Sequence, residues 1–510
     1  MPEFVKIGNL YLGKDFPVRI QSMLNTDTSN TAACVKQSIE LAEAGCEMIR
    51  LSTRNIKDAE NLYNIKNELY KRNIEIPIIA DIHFNPVIAE TAAKIADKIR
   101  INPGNYIDKN LSKEIFTERD NEIALGKATE ALFRLTEICK NNNTVIRVGS
   151  NQGSLSERIV YRFGDTAKGM VESVKEFIEI FRKLDFDNLV ISLKSSNPLI
   201  MIEANRLFVE EMTKQDKYFP IHLGVTEAGS GMDGRVKSAI GIGTLLSEGI
   251  GDTIRVSLSE NPVNEIAPAK EIVNYSPKRL KSFASFEMTS ENRNPKSKLQ
   301  HPKQTNNLER IKIKNSTEKF TIVGKDITEE EIDERVIVID ISNRSLEESC
   351  NILNDAFSEK IRVPVIVRYL KSEYSVIDVS IDLGYLLLNY PVSGIVTNVD
   401  EELLADILQT TKLRLSKPEY ISCPTCARTE YDLVSVLEDI KGKTKHLKNI
   451  SIAVMGCVVN GPGEMRGADI GVLGCGKGKV VLFINGKRVG EPFRAEEAGE
   501  RLIKELRIRN

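Results

Sequence analysis

Three absences narrow the function of this chain of 510 residues. Basic and acidic residues nearly balance, at 70 and 72, and the formal net charge of −2 disfavours a protein that reads nucleic acid. No apolar run approaches the ~20 residues needed to cross a bilayer, so a membrane protein is not expected. No secretory or organelle leader is recognisable at the start, which makes the cytoplasm the expected location.

Several cofactor and cross-link signatures are missing as well. Gly241-Ile-Gly243 lacks the rest of a dinucleotide fingerprint, so no flavin or nicotinamide site is expected. The absence of a C-x-x-x-C-x-x-C motif disfavours a radical adenosylmethionine enzyme. Eight cysteines in a chain of this kind indicate thiol or metal chemistry rather than a disulfide framework. The length itself predicts two or three domains.

Three cysteines near the C-terminus are the most informative feature that is present. Cys423 and Cys426 form a C-x-x-C pair, and Cys457 stands seven residues before Glu464 in Met455-Gly-Cys-Val-Val-Asn-Gly-Pro-Gly-Glu464. Thiolates are the ligands that iron–sulfur clusters prefer. A cubane with three thiolates has one distinct iron, for which the carboxylate of Glu464 is a weaker and exchangeable ligand. The pattern is typical of a catalytic cluster.

A structural zinc site is the alternative at this stage. Cys475 lies downstream, and four cysteines would complete a tetrahedral site. From the cysteine spacing alone, a zinc site and an iron–sulfur cluster are almost equally well supported. The glycines at 461 and 463 favour iron, because they leave backbone N–H groups free to approach bridging sulfides.

The first half of the chain alternates β-branched runs with segments of helical period. The predicted strands cover residues 18–22, 48–52, 77–82, 98–102, 144–149, 188–194, 221–226 and 253–258. Eight βα units in about 250 residues predict a TIM barrel, and residues 4–13 predict a hairpin that plugs its floor. We therefore expect an α/β fold with a substrate-binding TIM (β/α)8 barrel over residues 1–275.

Two further domains are expected. Residues 277–316 read as a linker, and an inserted α/β domain completes 276–412 with strands at 335–341 and 363–368 and a helix between them. Residues 380–398 resemble 239–256, so the insert is interpreted as a degenerate copy of the last βα unit of the barrel. An α/β domain for the [4Fe-4S] cluster is expected over 413–510, with strands at 449–455 and 479–485 and a helix at 495–506.

Cations gather where the predicted barrel strands end. They are Arg50, Arg100, Arg147, Lys194 and Arg255, with Asn102, Asn151 and Ser257 as neutral donors. Functional groups of TIM barrels meet at this face, and the guanidinium fork matches phosphate oxygens. The set predicts a polyanionic ligand such as a diphosphate.

Few acids accompany these cations. Glu227 directly follows its strand and is expected to handle a proton. Asp81 is expected to orient an arginine or transfer a proton, and His83 to contact substrate or support a group that does. Gly241 and Gly243, placed before a helix, are expected to offer backbone N–H groups to phosphate.

Five motifs combine these residues. They are Ile20-Gln-Ser-Met-Leu-Asn-Thr-Asp-Thr28, Ala80-Asp-Ile-His-Phe-Asn-Pro86, Arg100-Ile-Asn-Pro-Gly-Asn105, Tyr420-Ile-Ser-Cys-Pro-Thr-Cys426 and Met455-Gly-Cys-Val-Val-Asn-Gly-Pro-Gly-Glu464. With them the chain resembles the 4-hydroxy-3-methylbut-2-enyl diphosphate synthases, iron–sulfur enzymes of the non-mevalonate isoprenoid pathway. The resemblance covers the barrel and the C-terminal region, and long members of the family also have a middle domain.

The resemblance implies a reaction, a cofactor and partners. The substrate would be 2-C-methyl-D-erythritol 2,4-cyclodiphosphate, reduced and dehydroxylated with electrons from reduced ferredoxin or flavodoxin. Cys423, Cys426 and Cys457 match the ligands of a [4Fe-4S] cluster, Glu464 matches the carboxylate on its fourth iron, and Glu227 matches the proton donor. The five cations fall on phosphate-binding positions, whereas Cys475 departs from the family. A homodimer is a further expectation, because in short members one subunit closes the barrel of another.

Two alternatives are weighed against this interpretation. A zinc- or cluster-bearing regulator on an inactive barrel is disfavoured, because decay would have removed charges from the rim. A pterin-dependent methyltransferase also carries Asp and Asn at strand ends, but it has no need of three cluster thiolates.

Overall fold

The structure is a computed structural model. It describes residues 4–82, 85–106, 115–275, 320–322, 337–358, 365–424, 426, 428–458 and 461–509. His83 and the predicted linker at 277–316 lie outside the described residues.

The chain begins with an antiparallel hairpin of β1 (Phe4–Ile7) and β2 (Leu10–Gly13). Its apolar face is formed by Val5, Ile7 and Leu12, which pack with Met48 and Val145 in one buried cluster. Both of these partners stand at the starts of barrel strands, so the hairpin covers the floor of the barrel as the sequence predicts.

Eight parallel strands follow and close into a barrel. They are β3 (Arg19–Met23), β4 (Met48–Thr53), β5 (Ile78–Ile82), β6 (Lys98–Ile101), β7 (Val145–Asn151), β8 (Leu189–Lys194), β9 (His222–Leu223) and β10 (Thr253–Ile254). The ladder runs from β3 to β8 in chain order, β10 pairs with β3 and β9, and a bridge between Ile191 and Ile221 joins β8 to β9. The strands are buried on both faces, as parallel strands under helices must be. The predicted TIM barrel is confirmed.

Helices cover the barrel. They are α1 (Thr31–Ala44), α2 (Ile56–Tyr70), α3 (Pro86–Ala92), α4 (Pro103–Tyr106), α5 (Glu118–Asn142), α6 (Glu157–Phe163), α7 (Ala167–Lys183), α8 (Pro198–Thr213), α9 (Gly231–Ser247) and α10 (Ile266–Tyr275). Most begin at an Asn, Ser or Thr whose side chain accepts a hydrogen bond from the first turn, such as Asn55, Thr117 and Ser156. The predicted strands 221–226 and 253–258 are too long, because the backbone leaves the ladder after Leu223 and Ile254 to build the loops of the mouth.

A second sheet lies between the barrel and the C-terminal region in sequence. Its strands are β11 (Phe320–Ile322), β12 (Ile337–Asp340), β13 (Val365–Tyr369) and β14 (Gly394–Thr397), in the order β11-β14-β13-β12. Its helices are α11 (Leu346–Ser358), α12 (Val376–Asn389) and α13 (Glu401–Thr410). Strands β12 to β14 are parallel and β11 is antiparallel. The described part is thus an open α/β sheet, which contains the predicted strands with slightly shifted ends.

The second sheet packs on the barrel through α9 and α12. A Cβ on Gly243 would stand 2.4 Å from the Ile381 side chain, and a Cβ on Gly384 would stand 2.6 Å from Ile240. Gly241 and Gly243 therefore lie inside a buried helix, where they allow close helix packing. The expectation that they bind phosphate before a helix is wrong.

The C-terminal region forms a five-stranded sheet in sequence order. Its strands are β15 (Glu419–Ser422), β16 (Ser451–Met455), β17 (Ile470–Gly476), β18 (Lys479–Ile484) and β19 (Lys487–Arg494), and its helices are α14 (Leu433–Thr444), α15 (Gly461–Glu464) and α16 (Ala498–Arg509). The predicted strands at 449–455 and 479–485 and the closing helix are present. The sequence did not predict β15, β17 or β19. Strand β15 overlaps the first cysteine motif, β17 is rich in glycine, and β19 is exposed along most of its length. None of the described helices is long and apolar enough to span a membrane.

Candidate active site

One cavity lies between the mouth of the barrel and the C-terminal sheet. The barrel lines it with Met23, Arg50, Asp81, Arg100, Arg147, Asn151, Ser192, Lys194, Thr226, Glu227, Arg255 and Ser257. The C-terminal region lines it with Cys423, Pro424, Cys426, Arg428, Met455, Gly456, Cys457, Gly461 and Glu464. The cationic mouth and the three cysteines of the same chain therefore face each other across one space.

Arg147 is a buried cation of the mouth with two donor nitrogens that have no partner among the described residues. Its side chain projects from the middle of β7, is 1% exposed, and has no hydrogen-bond partner at Nε or Nη1 among the described residues. Burial lowers the pKa of Arg147 well below its ordinary value, and the charges of Arg50 and Arg100 lower it further. A guanidinium resists deprotonation, so Arg147 stays charged. The repulsion between it and its cationic neighbours is therefore unrelieved until an anion enters the cavity.

Asp81 is the carboxylate around which three cations gather. Its Oδ1 lies 2.8 Å from Nη2 of Arg50 and 3.6 Å from Nη1 of Arg100, while Oδ2 lies 3.5 Å from Nη1 of Arg428. The residue is 1% exposed. One carboxylate cannot neutralise three guanidinium groups, so the site keeps an excess of positive charge.

Arg255 is held by a carboxylate that the sequence did not suggest. Glu265 accepts from Nε and Nη2 of Arg255 at 3.1 and 2.9 Å, and from Ser22 Oγ at 2.7 Å. Both members of the pair are buried. Glu265 therefore fixes the orientation of Arg255, whose side chain lines the cavity.

Lys194 shares the interior of the barrel with His222. Lys194 Nζ lies 3.1 Å from His222 Nε2, and His222 Nδ1 lies 3.4 Å from Thr253 Oγ1. Burial lowers the pKa of both groups well below their ordinary values, and Arg147 adds to the effect on each. The lowered pKa favours the neutral imidazole, whose Nε2 can accept a hydrogen bond from the lysine.

The three cysteines line the side of the cavity opposite the cations. The N–H of Gly456 donates to Cys423 Sγ over 3.1 Å, as backbone amides do toward cluster thiolates. Burial raises the pKa of Cys423 well above its ordinary value, and the neighbouring Cys426 raises it further. A thiolate there would need a bound cation to stabilise it. In the part of the chain that the structure describes, no three Cys, His, Asp or Glu residues are grouped to hold a single ion.

Cys475 stands apart from this set. It is exposed on β17 and does not line the cavity. The four-cysteine zinc arrangement therefore lacks its fourth ligand in the described geometry. The donor set that remains, three thiols around a cavity with a carboxyl group beside them, fits a cluster of several iron atoms better than one zinc ion.

Glu227 and Glu464 bring two carboxyl groups together from opposite walls. Their side chains are within hydrogen-bonding reach of each other, and both are buried. Burial raises the pKa of both groups, and the charge of Glu227 raises that of Glu464 further. Glu227 has a φ of 50°, a left-handed conformation that costs a non-glycine residue energy and is common at active sites. The pair favours keeping a proton inside the cavity.

The two walls are joined by close backbone contacts. A Cβ on Gly463 would stand 1.6 Å from the carbonyl oxygen of Gly153, so only glycine allows the loops to touch. Ser422 N donates to the carbonyl of Glu227 at 3.2 Å, and Ser259 Oγ donates to the carbonyl of Cys423 at 3.0 Å. These contacts exclude solvent from the seam and hold the cysteine loop over the mouth.

Most of the predicted site residues meet at this cavity, with two exceptions. Asn102 does not line it; its side chain donates to Ser154 Oγ at 2.9 Å and accepts from Gly104 N at 3.0 Å, which shapes the loop after β6. His83 lies outside the described residues. The sequence analysis missed Arg428, Glu265 and His222. Of these three, only Arg428 could have been suspected from the sequence, because it stands two residues after Cys426.

A closed TIM barrel with a cationic mouth, capped by a cysteine-bearing α/β region, defines a barrel enzyme suited to an anionic substrate. Family models agree with this architecture: "GcpE TIM-barrel domain" matches residues 3–270 and "GcpE protein C-terminal domain" matches residues 419–508. The chain belongs to this family, the 4-hydroxy-3-methylbut-2-en-1-yl diphosphate synthases.

Curated relatives match nearly the whole chain. The 4-hydroxy-3-methylbut-2-en-1-yl diphosphate synthase (flavodoxin) of Phocaeicola vulgatus is 37% identical, over 98% of this chain and 96% of the relative. The proteins of the same name from Leptospira interrogans and Akkermansia muciniphila are 34% and 37% identical, over 98% of this chain and 95% and 94% of their own lengths. These alignments include the second sheet. Among solved structures, dihydropteroate synthase from Xanthomonas albilineans aligns with 54% of this chain and 96% of its own length at 13% identity, with a TM-score of 0.34.

Proposed function

We infer that this chain reduces 2-C-methyl-D-erythritol 2,4-cyclodiphosphate to (E)-4-hydroxy-3-methylbut-2-enyl diphosphate and water. The observation that carries the inference is the single cavity lined by five barrel cations and three cysteines. A cyclic diphosphate needs cations to hold it, and loss of a hydroxyl needs electrons and a proton. Both sets of groups line one cavity.

The donor set of the C-terminal wall fits an iron–sulfur cluster. We propose that Cys423, Cys426 and Cys457 hold a [4Fe-4S] cluster and that Glu464 is its exchangeable carboxylate. When bound, the cluster would supply low-potential electrons and a Lewis-acidic iron. The electrons would come from reduced flavodoxin, which the names of the relatives mention, with ferredoxin as the second candidate donor.

The barrel residues have separate tasks in this proposal. Arg50, Arg100, Arg147, Lys194 and Arg255 bind the phosphate oxygens, with Asn151 and Ser257 as neutral donors. Asp81 and Glu265 orient the guanidinium groups by the contacts described above. Burial raises the pKa of Glu227 and so favours its protonated form, and the carboxyl group delivers that proton to the leaving hydroxyl.

The proposed division of labour follows the chain. Residues 1–275 bind the substrate, 276–412 form the inserted unit, and 413–510 hold the cluster. Since the cavity is complete within one chain, the arrangement does not require the homodimer that the short members of the family suggest.

Turnover of the cyclodiphosphate with reduced flavodoxin tests the proposal, together with the iron and zinc content of anaerobically purified protein. We expect about four iron atoms per chain, lost in Cys423→Ser, Cys426→Ser and Cys457→Ser and kept in the matched control Cys475→Ser. Colourless protein with one zinc that depends on Cys475 would refute the cluster, and an iron-loaded protein that leaves the cyclodiphosphate unchanged would refute the reaction.

A further inference from the structure

Arg428 is a cation of the cavity that comes from the cysteine loop rather than from the barrel. It stands two residues after Cys426, and the turn between them is closed by a hydrogen bond from Thr429 N to the carbonyl of Cys426 at 2.9 Å. Its side chain is 11% exposed and lines the cavity. The loop that presents the thiol thus also presents a guanidinium to the barrel mouth.

The guanidinium of Arg428 is incompletely satisfied by protein groups. Its Nη1 lies 3.5 Å from Asp81 Oδ2, and its buried Nη2 has no hydrogen-bond partner among the described residues. Asp81 is engaged more closely by Arg50, at 2.8 Å. A buried donor without an acceptor is destabilising, so this nitrogen is placed to donate to an acceptor on a ligand that enters the cavity.

Arg147 shows the same condition on the barrel side. Its Nε and Nη1 also have no hydrogen-bond partner among the described residues, and it lines the same cavity. Two guanidinium groups with open donors therefore reach the cavity from opposite walls. A diphosphate, with oxygens on two phosphorus atoms, can accept from both.

We propose that Arg428 is a further phosphate-binding residue of the diphosphate site, and that it makes the substrate a link between the barrel and the cysteine loop. The proposal rests on the proposed function for the identity of the ligand. In the absence of substrate, Asp81 holds the guanidinium in place. When substrate binds, phosphate oxygens take over the open donors, so the energy of phosphate binding also fixes the loop that carries Cys423 and Cys426.

The test compares Arg428→Gln and Arg428→Lys with the matched control Lys477→Gln, which removes an exposed charge from the same region. Iron content, the Kd of the cyclodiphosphate and inhibition by inorganic pyrophosphate are measured on the loaded enzyme. We expect unchanged iron and a Kd raised about 10- to 100-fold in Arg428→Gln, as for the loss of a charged hydrogen bond. The lysine should restore only part of the affinity, because a point charge cannot reproduce the fork.

A purely structural role makes different predictions. If Arg428 serves only to pair with Asp81, Asp81→Asn should remove its contribution, and adding Arg428→Gln to Asp81→Asn should then change the Kd by less than about twofold. We expect about tenfold or more instead, and the smaller change would overturn the proposal. Should Arg428→Gln lose iron, Arg428→Lys decides the matter, because wild-type affinity in an iron-loaded lysine variant also overturns it.

Failure of this inference is separable from failure of the proposed function. If Arg147→Ala weakens binding of the cyclodiphosphate and Arg428→Gln does not, only the role of Arg428 falls. If the wild-type enzyme does not bind the cyclodiphosphate at all, the substrate assignment falls with it.

Discussion

Asn151 Nδ2 donates a hydrogen bond to Glu464 Oε1 over 3.3 Å, and this contact joins the end of a barrel strand to a residue of the opposite wall. The bond stabilises the ionised form of Glu464 and so lowers its pKa, against the larger upward effects of burial and Glu227. A barrel side chain that lines the cavity therefore also tunes a carboxyl group on the opposite wall.

Glu227 and Glu464 are expected to differ in what their loss changes. Glu227→Gln should keep the iron and the resting spectrum but slow turnover by about 10²- to 10⁴-fold, as for the loss of a general acid. Glu464→Gln should keep most of the iron and change the resting spectrum itself. Anaerobic absorption and paramagnetic resonance spectra, with single-turnover rates, separate the two. Near-normal turnover in Glu227→Gln would remove it from proton delivery.

Gly463→Ala is expected to separate the two walls. The added methyl would collide with the carbonyl of Gly153, so the loop bearing Glu464 must move away from the barrel. A displacement of about 1 Å near reacting groups typically costs about 100-fold in rate. The control is Gly467→Ala, where a Cβ meets nothing within 4 Å. Equal turnover in the two variants would show that the tight seam is not needed.

Arg147→Met should move stability and binding in opposite directions. It replaces a buried cation, which has no ion pair among the described residues, with an apolar side chain, and this should raise the free energy of unfolding by about 1–4 kcal/mol. The same change should weaken binding of the cyclodiphosphate by about 1.5–3 kcal/mol. Chemical denaturation and calorimetric titration measure both. A structural arginine would instead destabilise the fold when removed and leave the Kd alone.

His222 should make stability depend on pH below its ordinary pKa. Its pKa is lowered in the folded chain, chiefly by burial and then by Lys194, so below about pH 6.5 the unfolded chain binds one more proton. Stability is then lost as the pH falls, by about 1.4 kcal/mol per unit for that proton. His222→Gln should remove this slope between about pH 6.5 and 5.5. His446→Gln, at an exposed ring, is the control and should retain it.

Much of the fold was predictable because its signals are periodic and local. Strands such as Leu189–Lys194 are buried on both faces in the structure, and runs of this kind in alternation with amphipathic helices predict a parallel barrel. The cations stood out because arginine is rare inside strands. The cysteine motifs were readable because two of the thiols lie on one turn.

The remainder depends on contacts that no local pattern records. Glu265 is one acid among many on the chain, and its importance appears only when its bidentate bond to Arg255 is seen. Gly241 and Gly243 look like a phosphate loop in sequence. Their role becomes clear only from their neighbours, which are Met201 of α8 and Val225 for Gly241 and Ile381 of α12 for Gly243. Asn102 belongs to a sequence motif, but in the structure its side chain bonds Ser154 and Gly104 and stabilises the neighbouring loop. Each of these errors concerns tertiary neighbours rather than secondary structure.

The glycine-mediated contact between α9 and α12 has a consequence for any attempt to shorten the protein. Every residue from Val236 to Ser247 is buried, and part of that cover is the second sheet. A chain that joined Tyr275 directly to Arg414 would expose the apolar face of α9, where glycines leave space for side chains of α12. It would also expose the hydroxyl of Tyr275, which now donates to Asp382 at 2.9 Å. A shortened enzyme made of the barrel and the C-terminal region would therefore need polar side chains on the exposed face of α9 to avoid aggregation.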